Sequence, residues 1–121
     1  MRSMKKAGKA ERNEIEAEIH LTAIIEAKMV QIFGITATKF LFDYLESEHQ
    51  LMKEDIPMKP EIFSRGLEEI LESGAKMLEK NILKGLYLKL GLNYVEKEKY
   101  KFADYIKEAK ALSKFLLRAK V

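Results

Sequence analysis

The sharpest local motif in the chain is Glu46-Ser47-Glu48-His49. On a helix, Glu46 and His49 stand one turn apart, the Glu-x-x-His spacing with which four-helix bundles hold di-iron centres. That chemistry needs a second such pair and two more inward carboxylates. The other histidine, His20, has Ala17 three residues before it, and Glu16 at i, i+4 would give a two-ligand surface site at most. Glu46 and His49 therefore read as a solvated polar helix end, with no metal and no cofactor expected. Nucleophilic catalysis finds no framework either. The chain has no Cys, and Ser3, Ser47, Ser64, Ser73 and Ser113 lie in no Gly-x-Ser-x-Gly elbow. No glycine-rich loop joins a strand to a helix, so a P-loop or dinucleotide phosphate cradle is not expected. Acidic pairs such as Glu68-Glu69 and Glu54-Asp55 read as solvent-facing. The expectation is a protein that is not an enzyme.

The remaining chemistry is charge. Lys107, Lys110, Lys114 and Arg118 recur every turn on one side of the last amphipathic segment, a stripe suited to nucleic-acid phosphates or anionic lipid. Tyr100, Phe102 and Tyr105 lie nearby and could stack on bases. An ordinary solvated face, with those aromatics in the core, is the competing reading. Residues 1–12 carry five Lys/Arg against one Glu, residues 13–96 nine against fifteen Asp/Glu, and residues 97–121 eight against three. The net +3 thus divides into a basic head, an acidic body and a basic tail.

These residues sit on helices. Residues 1–10 have no apolar periodicity and read as a mobile basic arm, leaving 11–121 as one helical domain. The first helix is expected from about Ala10 to Phe33. Ile15, Ile19 and Thr22 share one face in its first half. From Leu21 on, Leu21, Ile24, Ile25, Met29, Val30, Ile32 and Phe33 cover most of the circumference, the mark of a helix buried on more than one side. A two-fold subunit interface would cover the extra face, so Leu21, Ile24, Ile25, Met29 and Ile32 are the candidate self-association residues. The alternative places this helix at the centre of a monomeric bundle. Gly34 breaks the helix, and Ala37, Phe40, Leu41, Tyr44, Leu45 and Glu48 continue with helical spacing to about Lys53. Asp55-Ile56-Pro57 and Lys59-Pro60 enforce an extended connection, and Pro60 suits the first turn of a third helix. That helix is expected to kink at Ser73-Gly74 and to be capped by Gly91. Gly85, inside its apolar pattern, suggests close packing of a neighbour. Ile32, Phe33, Ala37, Phe40, Tyr44 and Leu45 echo Ile70, Leu71, Ala75, Leu78, Ile82 and Leu83 at an offset of 38. The last helix runs from near Tyr100 to Ala119, with Phe102, Ile106, Ala109, Ser113 and Leu116 on its apolar line. Leu92 to Val95 reads as a loop.

The fold class expected is all-α, a single-domain bundle of four to five helices. A chain of 121 residues can bury roughly two-thirds of its unfolded surface without a staple. The absence of Cys suits a reducing, cytoplasmic compartment, and the glutamates after the basic head argue against a secretion signal. No apolar run approaches the roughly 18 residues of a membrane span. The Lys- and Glu-rich composition leans toward a thermophile.

The stretch Leu51 to Phe63, followed by Leu67-Glu-Glu-Ile-Leu71 and Gly74-Ala75, is similar to an archaeal helical module, the Nitrosopumilus output domain family. Gly34, Asp55, Ile56, Pro57, Pro60, Phe63, Gly74 and Ala75 sit in that family's order, and the resemblance spans about residues 20–108. The pattern would place a second glycine at position 72, where this chain has Glu72. The resemblance implies an effector or sensor-associated module of archaeal signalling without catalytic residues. The resulting expectation is a non-catalytic protein-interaction or output module, a homodimer with a further protein partner. A nucleic-acid-associated protein using the basic arm and last helix is the second reading.

Overall fold

The computed structural model describes the backbone over residues 9–119 and side chains over residues 11–116. The order is α1 (Lys9–Phe33), α2 (Ile35–His49), a 3-10 turn (Lys53–Asp55), α3 (Pro60–Leu71), α4 (Gly74–Lys89) and α5 (Phe102–Ala119). No strand occurs among the described residues. The expected mobile arm lies outside the described residues, except that α1 already includes Lys9 and Ala10.

α1 is the axis of the bundle, packed against α2, α4 and α5. Ala17, Leu21, Ile25 and Met29, at successive i, i+4 positions, are fully buried within the one chain. This stripe is therefore covered by the helix's own neighbours, and Leu21, Ile25 and Met29 cannot form a subunit interface in this fold. Ile24 is half-buried against the same core, and only Ile32 of that set remains exposed. Burial of each such Leu, Ile or Met side chain stabilises the fold by roughly 1.5–3 kcal/mol, so the bundle formed by one chain satisfies most of what the sequence pattern demanded.

Gly34 separates α1 from α2 with φ 87°, a value that side-chain-bearing residues rarely adopt. The buried line of α2 is Thr38, Leu41 and Leu45. The line expected from periodicity is rotated: Ala37 and Phe40 face solvent. The echo at offset 38 fails with it, because the matching Ala75 and Leu78 are buried. α2 ends on Gln50 at φ 52°. The Leu51 N–H returns to the Leu45 carbonyl at 3.1 Å, and the Leu51 side chain closes the core. Pro60 occupies the first turn of α3, as its fixed φ favours. The expected kink at Ser73-Gly74 is a complete break, made at Glu72 with φ 52° and ψ −125°.

α4 closes in a Schellman motif. The Gly91 N–H reaches the Leu88 carbonyl at 3.0 Å and the Leu92 N–H reaches the Tyr87 carbonyl at 2.8 Å. α5 begins where the Asp104 carboxylate accepts the Lys101 N–H at 2.8 Å, half of a capping box. It runs antiparallel to α1, since Lys110 pairs with Glu18 and Lys114 with Glu14. No described helix is long and apolar enough to cross a membrane.

Candidate interaction surfaces

The Glu46–His49 pair of the sequence does not form. The His49 side chain is only 14% exposed, and its Nε2 lies 2.7 Å from Glu69 Oε1 on α3. Tyr44 donates its hydroxyl to the same oxygen at 2.8 Å. The His49 contact, then the Tyr44 hydrogen bond, hold the Glu69 carboxyl below the usual range. His49 is thus a cross-helix anchor between α2 and α3, and sequence spacing could not reveal a partner twenty residues away. Glu16 and His20 both face solvent. Among the described residues no group of three His, Asp or Glu side chains is arranged to hold a metal ion.

The basic stripe of α5 is also not the free surface that its spacing suggested. Lys107 pairs with Glu61 of α3 at 3.1 Å. Lys110, with its side chain 19% exposed, reaches Glu18 of α1 at 3.2 Å, and Lys114 reaches Glu14 at 3.9 Å. Three of the four cations are engaged by carboxylates of neighbouring helices; the Arg118 side chain lies outside the described residues. Phe102 and Tyr105 are buried, which removes them as base-stacking platforms, while Tyr100 is 39% exposed.

Two depressions stand out among the described residues. The first is an open cleft of about 760 Å³ between α3, α4 and the 90–101 loop. It looks chemical. The Glu79 carboxyl is raised above its ordinary range by burial, against a 2.5 Å hydrogen bond from Ser64 Oγ. Tyr94, Tyr100 and Tyr105 line it. Yet several of its polar groups serve the fold. Tyr105 packs on Tyr87, Tyr94 and Tyr100, and its hydroxyl oxygen accepts the Lys97 N–H at 2.7 Å. Lys97 pairs with Glu108 at 2.9 Å, and the Tyr87 hydroxyl donates to Glu108 at 2.6 Å. Lys80 pairs with Glu96 at 2.7 Å. These contacts hold an irregular loop against the bundle.

The second is a groove of about 560 Å³ running along α2 beside α1 and the 3-10 turn. Its α2 wall comprises Ile35, Thr38, Lys39, Phe42, Asp43 and Glu46, one continuous helix face about 16 Å long. Val30 and Met52 complete an apolar floor, and Ile35 is 74% exposed. Lys53 grips both Glu26 oxygens at 3.1 Å, and Lys39 pairs with Asp43 at 3.1 Å. The rim carboxylates of Glu46 and Glu54 have no partner among the described residues. Beyond the groove, Ile19 is 65% exposed and Phe115 61%, with Ile15, Leu112 and Leu116 less so. Leu116 was expected in the core; it is 38% exposed, three residues beyond the buried Ser113. Leu112 and Phe115 fall off the Phe102–Ile106–Ala109–Ser113 line, and that offset was the one sequence signal that could have marked them.

No match is found among protein-family models, curated proteins or solved structures.

Proposed function

We propose that the chain is a non-catalytic helical interaction module that works by self-association. One observation carries this reading: the core closes within a single chain, yet apolar side chains remain uncovered along the α2 groove, on the outer face of α1 and at the end of α5. Surface apolar residues scattered singly need no explanation, whereas a groove floored by them does. The resemblance to an archaeal output module agrees with a role in contacts rather than chemistry. A nucleic-acid role is the weaker reading, because α5 holds Lys107, Lys110 and Lys114 in ion pairs.

Light scattering coupled to size exclusion tests the proposal. The expected mass is twice the 14.0 kDa chain at tens of micromolar and persists in high salt, since apolar contact is not screened. A single-chain mass throughout, together with salt-sensitive retention on heparin, reverses the order of the two readings.

A further inference from the structure

We propose that the groove along α2 receives the C-terminal part of α5 from a second copy of this chain, and that the exchange is reciprocal. The inference rests on the self-association reading and names its surface. The donor is the helix face Leu112, Phe115 and Leu116, at i, i+3 and i+4. These are the anchor spacings by which an amphipathic helix fills an apolar groove. They lie off the side of α5 that Lys107, Lys110 and Lys114 direct toward α3 and α1. All three are exposed. The acceptor is the Val30, Ile35, Phe42 and Met52 floor.

Charge agrees with shape. Among the described residues, the groove's unpartnered rim groups are the carboxylates of Glu46 and Glu54. The donor carries Lys114, whose link to Glu14 is long at 3.9 Å, and Arg118 and Lys120 follow in the sequence. An acidic rim around an apolar floor fits a helix with apolar anchors and basic flanks.

The occupant cannot come from the same chain. α5 is fixed alongside Glu14 and Glu18, while the groove starts at Glu26, about 18 Å further along α1 from Glu14. A two-fold axis crossing α1 between these levels brings each α5 end to the other chain's groove. Ile15, Ile19, Glu26 and Val30, spaced four, seven and four residues apart, share one face of α1. The exposed Ile15 and Ile19 therefore lie in the path of the same contact and are covered by it.

The chain has no Cys, so a single nitroxide can be placed at Ala111→Cys. This labelled protein is mixed with unlabelled-spin, 15N-enriched wild type, so that broadening reports contact between chains only. Ile35, Phe42 and Met52 amides are expected to broaden. Phe115→Glu and Met52→Glu, both at exposed positions, are expected to keep their helical circular dichroism and weaken dimerisation ~10-fold or more, as the loss of a buried apolar anchor implies. A dimer whose broadening falls in the tyrosine-lined cleft overturns the exchange while leaving self-association standing. A single-chain mass at every concentration overturns both.

Discussion

The cleft beside the 90–101 loop and the groove along α2 carry opposite kinds of surface. The cleft has tyrosines, a half-buried carboxylate and perturbed ionisations, the usual marks of an active site. Several of its groups are nonetheless paired within the chain: Tyr105 with the Lys97 backbone, Lys97 with Glu108, which also accepts from Tyr87, and Ser64 with Glu79. The groove along α2 is lined by no tyrosine among the described residues. It has an apolar floor and two carboxylates without partners among the described residues. A satisfied polar network reports what holds the fold, whereas an uncovered apolar surface reports what the fold has left to bind.

The largest effect separating the two regions is expected at Tyr105. Its ring is buried among three other tyrosines, so Tyr105→Ala should cost about 3–5 kcal/mol in urea unfolding. A loss below about 1 kcal/mol would show that the loop is not held by this cluster.

Alkali should loosen the same region next. Burial, then the Tyr105 and Glu96 neighbours, push the Tyr94 hydroxyl up to about 12 from 10.0, and burial raises Tyr87 as well. Groups raised in the folded state stabilise it fully below their unfolded value, and that contribution is lost as pH rises through the folded value. Stability is therefore expected to fall between pH 10 and about 12, in step with tyrosinate absorbance. At the other extreme, Glu108 is held below the usual carboxylate range by the Tyr87 hydroxyl, then by Lys97. Its contribution is present above the ordinary carboxylate value and disappears as pH falls through the lowered one.

Glu72 supplies a smaller effect of the opposite sign. Its φ of 52° with ψ −125° is a backbone shape that glycine adopts without strain. Glu72→Gly should raise stability by about 1 kcal/mol in thermal unfolding. An unchanged or lowered midpoint would mean that the turn is not strained. This position was marked in the sequence, where the proposed resemblance would place a glycine. So were the all-helical class, Pro60, Gly34 and Gly91, because each rests on local backbone chemistry. What was not legible depended on which helix meets which. Gly85 drew attention, but a Cβ there meets only the flexible Lys28 stem at 3.0 Å. Gly66 passed unnoticed, although a Cβ there would run into the buried Leu45 side chain. Lys110 looked like a solvent-facing cation and is a cross-helix partner of Glu18. Leu21 and Ile25 looked like surplus apolar surface until α2, α4 and α5 were wrapped around them.

The smallest expected effect on the fold itself is at Phe115, an aromatic on the same helix as Tyr105. Phe115→Ala should change the stability of the isolated chain by no more than about 0.5 kcal/mol, because its ring is 61% exposed. Its consequence should appear in assembly instead.

A methyl NMR concentration series tests most directly whether the apolar face is a contact surface. Self-association through it predicts that the methyl signals of Ile15, Ile19, Ile35 and Met52 move as protein concentration rises. Met77 and Leu88, 71% and 79% exposed on α4, should stay fixed. Shifts shared equally by all of these methyls, or by none of them, would contradict it.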